Sequence, residues 1–351
     1  MTEPIYAHPW ALRSYAKQLT VDIDDITDLR SYCDKHCADT DGLTGVMWAD
    51  AKIVAELLQD IQHKVTDAFG KNLETTASMV DASAAAYERT DQAAAEQIWA
   101  SVDVHRAEGQ SVSDTSHQGH FENPVAIGPP PPEYKDEMGK KLDKLMSSVK
   151  LVDSILEKIV KISIMNELVP LFVGDWGKVR QLARGYQQLG GDLGVWGIDR
   201  NVQFGMDSLA PLWDGPAAQT FESFVRNYWH NDFSNWKNIC DRSATVLNLI
   251  AEAAEQLFTE IDVFISGVVV AGIGKIAKIA TTLVVGTSAP TAAAVINELI
   301  NFVVEIIHVI KKLFKAYWGR VKLAASTVEA IWDLLVMLVK RLSNPGVASA
   351  T

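Results

Sequence analysis

At 351 residues the chain is long enough to bury one large or two medium cores, and its 48% apolar content excludes wholesale disorder. The net charge of -12 sits in residues 1–123, which hold 9 Lys+Arg against 21 Asp+Glu, while the remainder is neutral. An acidic leading unit repels phosphate, which argues against nucleic acid as a partner.

Residues Met1 to Trp10 offer neither a basic stretch nor an apolar run, so no Sec-type signal peptide is expected. Helical periodicity then dominates. A first arm is predicted from about Trp10 to Asp39, with Leu12, Ala16, Leu19, Ile23, Ile26, Leu29, Cys33 and Cys37 on one apolar seam. Cys33, His36 and Cys37 have the types of metal ligands, but they lack a clear fourth, and thiols buried on the seam are the better reading. Asp41-Gly42-Leu43-Thr44-Gly45 is a break. A second arm carries Val54, Leu57, Ile61, Val65 and Ala68 and runs to about Ala100, making a helical hairpin.

From about Glu108 to Glu133 the character changes, ending in Pro129-Pro130-Pro131-Pro132, which cannot continue a helix. We read a linker, in which His117 and His120 could touch a metal but, as two solvated histidines, would make only a weak site. The next helix shows 3,4 spacing through Leu142, Leu145, Val149, Val152, Leu156 and Ile159, interrupted by Pro170 and Gly174. Another arm runs from Asp175 to about Leu209, and its interior glycines (Gly185, Gly190, Gly191, Gly194, Gly197) predict kinks or close packing. A turn at Pro211 to Pro216 leads to a return arm from Phe221 to Ile261.

The last third differs. Val263 to Gly274 is uncharged, Lys275 and Lys278 follow, and Ile279 to Asn297 is uncharged again apart from a break at Gly286-Thr287-Ser288-Ala289-Pro290. Leu299 to Ile310 precedes the basic Lys311, Lys312, Lys315, Arg320 and Lys322. Each apolar arm is long enough to cross a bilayer, but Lys275, Lys278, Glu298 and Glu305 interrupt them, so a buried core hairpin is preferred to an inserted one. If the region does meet a membrane, Lys275, Lys278, Lys311, Lys312 and Lys315 are the contacts expected.

Two short motifs remain. Tyr-x-x-x-acid occurs at Tyr87/Asp91 and at Tyr228/Asp232. The second lies inside a long arm, where an aromatic core residue and a solvated acid are expected. The first lies near the end of a hairpin arm, where side chains one turn apart share a face. Trp213-Asp214-Gly215 has the makings of a tight interhelical turn, with Pro216 able to open the next helix.

The run Trp213-Asp214-Gly215-Pro216-Ala217-Ala218-Gln219-Thr220-Phe221 resembles the turn of the Trp-x-Gly superfamily of secreted helical hairpins. Tyr87 to Asp91, followed by Gln92-Ala93-Ala94-Ala95, resembles the export motif of a partner hairpin. In the PE–PPE pairs of bacterial type VII (ESX) secretion, one chain supplies the Tyr-x-x-x-acid motif and the other the Trp-x-Gly turn, and the two meet at one end of a four-helix bundle. Here both lie on one chain, in the order of a fused PE–PPE-like protein, over roughly residues 8–262.

The resemblance implies an all-α fold of elongated antiparallel hairpins. It implies a two-part secretion signal at Tyr87, Asp91, Trp213 and Gly215. The implied partners are the type VII ATPase and machinery, with a cytosolic chaperone, and the implied location is secreted or cell-surface. A homo-oligomer and membrane contact through residues 263–322 are further partners it allows. The expected division is an acidic hairpin at 1–107, a linker at 108–138, a Trp-x-Gly hairpin at 139–262, an apolar and basic helical region at 263–343 and a tail at 344–351. No phosphate-binding glycine loop, His-Glu-x-x-His or nucleophile elbow is present, so no catalytic residue, cofactor or metal is expected. A non-enzymatic effector or delivery module is the leading reading. A helical pore-former and the export part of a polymorphic toxin are the alternatives.

Overall fold

The computed structural model describes residues 6–101, 125, 128–131, 137–161, 163–172, 174–284 and 289–343, and it is all-α, with long helices folded into hairpins. A short strand β1 (Tyr6–Ala7) leads into α1 (Pro9–Tyr32), which opens on Pro9, where a missing N–H leaves no helical bond unmade. α1 ends in a π turn at Cys33–Cys37, Gly42 takes φ 93° in the break, and a 3-10 turn at Val46–Trp48 starts α2 (Ala49–Ser101). The two arms are antiparallel. Arg13 meets Glu88 at one end, and Gln59 donates to Asp34 toward the other.

The expected linker is described only in part, and His117 and His120 lie outside the described residues. Where it is described it is held down: Val125 N–H donates to Asp25 Oδ2 at 2.8 Å, and Gly128 N–H donates to the Leu193 carbonyl at 3.2 Å. α3 (Glu137–Val160) follows. It stops well before Pro170, contrary to the sequence expectation. Lys161 adopts φ 60°, and Asp153 accepts from Ser163 Oγ at 2.8 Å and from Met165 N–H at 3.2 Å. These bonds begin a separate helix, α4 (Ile164–Phe172), which holds Pro170 inside it.

α5 (Lys178–Gly190) and α6 (Val195–Leu209) make the next arm, broken at Gly191–Gly194 as the glycines predict. A 3-10 turn at Ala210–Leu212 and strand β2 (Trp213–Asp214) lead to α7 (Pro216–Ser223), a π turn at Phe224–Trp229, and α8 (His230–Val284). α9 (Ala289–Ser343) returns along α8. The expected boundary between residues 262 and 263 falls inside the continuous α8.

α1, α2, the α5–α6 arm and α8 pack as an antiparallel four-helix bundle, with α9 laid against α2 and α8. The centre is aromatic. Phe69 stacks on Phe233 at 4.7 Å and on Trp236 at 4.8 Å between centroids. Buried indole N–H groups need acceptors, and α2 supplies them. Trp236 Nε1 donates to Gln62 Oε1 at 2.8 Å, and Trp229 Nε1 donates to Asn72 Oδ1 at 2.9 Å. Tyr317 of α9 donates its hydroxyl to the Met47 carbonyl at 2.8 Å, and Asn72 Nδ2 donates to the Leu342 carbonyl at 2.9 Å. Cys33, Cys37 and Cys240 are free and buried, and burial pushes the Cys37 and Cys240 thiols up.

Beyond the bundle, α8 and α9 continue as a paired extension. Its inner seam is buried at Ile265, Val303 and Ile306, and α3 packs along it with Met146 and Val149 buried. The preferred core hairpin is nevertheless not enclosed. Val263 is 70% exposed, Val270 74%, Ile273 50% and Val304 55%. The four-helix bundle ends before it can cover these positions.

A buried polar contact joins α1 to α6. Asn201 Nδ2 donates to Asp22 Oδ1 at 2.7 Å, and Gln18 Nε2 donates to the Asn201 carbonyl at 2.6 Å. Burial outweighs the Asn201 bond and pushes the Asp22 carboxyl up to about 8. Between the unfolded carboxyl range, near ~3.9, and that value, the native state holds the extra proton. This contribution is therefore full below pH ~4 and is lost as pH rises through about 8. Asp22→Asn is expected to flatten this part of the stability-versus-pH curve and to stabilise the protein at pH ~9 on the order of a few kcal/mol, measured by urea unfolding across pH.

α5 also approaches the π turn closely. A Cβ on Gly185 would lie 2.6 Å from the His36 carbonyl oxygen and 3.0 Å from Cys37 Sγ. Backbone cannot yield as a flexible side chain does, so Gly185→Ala is expected to cost about 1–3 kcal/mol, read as a lowered denaturation midpoint with an unchanged slope.

Candidate functional site

Tyr87 is carried by α2 where that helix passes the start of α1. There Arg13 grips Glu88 through two bonds, of 2.7 and 2.6 Å. Trp213 is carried by the turn between α6 and α7. That turn is fixed by strand pairing, with Tyr6 opposite Asp214 and Ala7 opposite Trp213, and His8 N–H donates to the Leu212 carbonyl at 2.9 Å. A two-residue strand leaves no alternation to read, so the sequence gives no sign of this tether.

Gly215 sits at φ 117° and ψ 174°, a conformation that side chains resist. Its N–H donates to Asp214 Oδ1 at 2.7 Å, and its carbonyl accepts from Gln219 N–H at 3.0 Å, which starts α7 behind Pro216. The turn drives Trp213 inward. Its ring lies 5.6 Å from Phe221, and Phe221 stands edge-on to Tyr15 at 6.0 Å. Trp213 Nε1 donates to Tyr87 Oη at 3.3 Å.

Tyr87, Trp213 and Gly215 are thus brought to one end of the bundle. Tyr87 is half-buried, and Asp91 is exposed one turn further along α2. Beside them runs a groove of about 1320 Å³ between α2 and α7. It extends from Asn72 and Leu342 to Tyr87 and Trp213, and Met79, Val80, Phe221 and Phe224 give it apolar walls.

The second Tyr-x-x-x-acid pair inverts its expectation. Tyr228 is half-buried and lines the groove, with the Arg341 guanidinium 5.9 Å from its ring centroid. Asp232, expected to be solvated, is 3% exposed and pairs with Arg341 Nη2 at 2.8 Å. Burial outweighs the arginine and pushes the carboxyl up to about 7. The reason for the inversion is α9. It lies over this turn of α8 and brings Arg341, which a reading of local spacing cannot place.

The remaining sequence candidates sit elsewhere. Lys275 pairs with Glu298 across the α8–α9 extension at 3.6 Å. Lys311, Lys312 and Lys315 are exposed on α9, and the Lys278 side chain lies outside the described residues. Among the described residues no group of three or more His, Cys, Asp or Glu is placed to hold a metal. Comparison with family models, with curated proteins and with solved structures finds no match for this chain.

The turn is the part of this site most open to a direct check. Gly215→Ala places a side chain at a strongly positive φ and is expected to cost about 1–3 kcal/mol. Thermal unfolding of the variant measures it, and an unshifted melt would mean that the turn does not need this conformation.

Proposed function

We propose that this chain is a substrate of a bacterial type VII (ESX) secretion system, a non-enzymatic helical effector or delivery module that leaves the cell folded. The hydrogen bond from Trp213 Nε1 to Tyr87 Oη at 3.3 Å carries this reading. It joins the turn motif of one hairpin to the helix-end motif of another, as a composite signal read by one receptor requires. The exposed Asp91 supplies a charge beside the pair, and the neighbouring groove supplies apolar surface for the secretion ATPase or a cytosolic chaperone. The strand tether from the N-terminus supports the same reading, because it holds the turn in a fixed pose against α2.

Export tests the proposal directly. Asp91→Ala changes an exposed helix position and is expected to leave the melting temperature within about a degree of the parent while abolishing appearance in the culture supernatant. Tyr87→Ala is expected to block export as well, with a modest loss of stability, since it removes the acceptor of the Trp213 N–H. The test uses an expression strain that carries a type VII system, and the same strain lacking the secretion ATPase gives the baseline. Secretion of both variants at the parental level would reject the assignment.

A further inference from the structure

The α8–α9 extension takes no part in the site above, and it carries widely exposed apolar side chains. α8 contains an 18-residue window of mean hydropathy 1.8 of which only 28% is buried. A core helix of that hydropathy would be mostly enclosed. Here Val263, Val270 and Ile273 on α8 and Val304 on α9 face outward, 50% exposed or more. Monomeric soluble surfaces rarely keep such a patch without a partner.

Length and charge identify that partner. The base of the extension is marked where Tyr317 bonds to Met47 and Arg320 meets Glu260 at 2.9 Å, since these are the contacts that tie α9 to the bundle end. From there residues 263–284 and 289–310 each measure ~33 Å as helix. A bilayer's hydrocarbon core is ~30 Å thick. The charges within the arms are Lys275 and Lys278 on one and Glu298 and Glu305 on the other, so they balance. Lys275 and Glu298 already face each other at 3.6 Å, and the Lys275 ammonium lies 4.7 Å from the centre of the Phe302 ring. A charge paired across the hairpin need not enter hydrocarbon alone. At the base, Lys311, Lys312 and Lys315 are exposed, at the level of the lipid headgroups if the arms are immersed.

We infer that the α8–α9 extension inserts into bilayers containing anionic lipid, with Lys311, Lys312 and Lys315 seated among the headgroups. The bundle of α1, α2, α5, α6 and the first part of α8 stays outside. This inference does not rest on the export reading, because purified protein displays it without any secretion machinery.

The test uses the full-length protein and vesicles of two parts phosphatidylcholine to one part phosphatidylglycerol, beside vesicles of phosphatidylcholine alone. The native cysteines are buried, so a polarity-sensitive dye can be placed on Val270→Cys, with Glu56→Cys on the exposed face of α2 as control. The expected results are flotation with the anionic vesicles and a blue shift of the dye at position 270 but not at position 56. Replacing Lys311, Lys312 and Lys315 by Gln is expected to weaken binding on the order of a hundredfold at low salt. The double variant Val263→Asp/Val304→Asp, made with the dye on Val270→Cys, changes exposed positions and is expected to keep its helical circular dichroism and lose the blue shift. Flotation without a blue shift at position 270 would overturn insertion. So would a blue shift that needs no vesicles and tracks protein concentration, which would assign the face to a second copy of the chain.

Discussion

Burial of the α8 seam is the constraint on which the rest of the molecule depends. Trp229, Phe233, Trp236, Cys240, Leu247, Ile250, Leu257 and Ile261 form one inward stripe, and α2, the α5–α6 arm and α9 all pack against the helix that bears it. The apolar stripe supplies the drive but little registration, because methyl and ring carbons tolerate sliding. Registration comes from the two indoles within the stripe. Once buried, Trp229 and Trp236 need acceptors, and Asn72 and Gln62 on α2 are placed to provide them. A one-turn slip would leave two donors and two amides unpaired, at about 1–3 kcal/mol each. Asn72 then spends its amide N–H on the Leu342 carbonyl, so the same residue that registers α8 also fixes the end of α9.

Periodicity made most of this fold legible. The α1 seam from Leu12 to Cys37, the break at Gly42, the fracture at Gly191–Gly194 and the turn at Trp213 all follow from residue spacing and glycine or proline chemistry. The nearness of Tyr87 to Trp213 was legible too, though only through a resemblance between motifs. What spacing cannot show is what covers a face. The α8 stripe continues past Ile261 with the same character, but the bundle that would cover it has ended, so an apolar run reads identically whether enclosed or open. The same blindness inverted Tyr228 and Asp232, because the Arg341 that holds Asp232 comes from the far end of α9. The early stop of α3 depends on Asp153 bonding to Ser163 and Met165, a local arrangement that Pro170 overshadows in the sequence.

Two buried carboxyls mark places where polar specificity is held against a desolvation cost. Asp22 and Asp232 are both pushed up by burial, and each is only partly relieved by its partner, Asn201 in one case and Arg341 in the other. An apolar residue at either position would be the easier choice for stability. What the carboxyls supply is direction. Asp22 ties the middle of α1 to α6 through Asn201. Asp232 ties the start of α8 to the end of α9, beside the groove. Both therefore fix how neighbouring helices are aligned, α6 on α1 and α9 on α8.

The end of the bundle opposite Tyr87 and Trp213 is secured differently, and this bears on what the hairpin can do. Trp48, Trp176 and Phe258 form an edge-to-face cluster there, with ring centroids 5.3 and 5.6 Å apart, and Tyr317 and Arg320 anchor α9 beside it. All of these contacts lie on the bundle side of residues 263 and 316. Immersing the extension beyond them breaks none of the four-helix packing and none of the indole bonds that register α2 on α8. The contact at stake is α3, whose Met146 and Val149 are buried against the extension. α3 is amphipathic, and its Lys140, Lys141, Lys144, Lys150 and Lys158 are nearly balanced by Glu137, Asp143, Asp153 and Glu157, so its apolar face and not its charge would draw it to a lipid surface. The structural cost of insertion then falls on α3, whose apolar face loses its cover, while the end of the molecule bearing Tyr87 and Trp213 stays as it is.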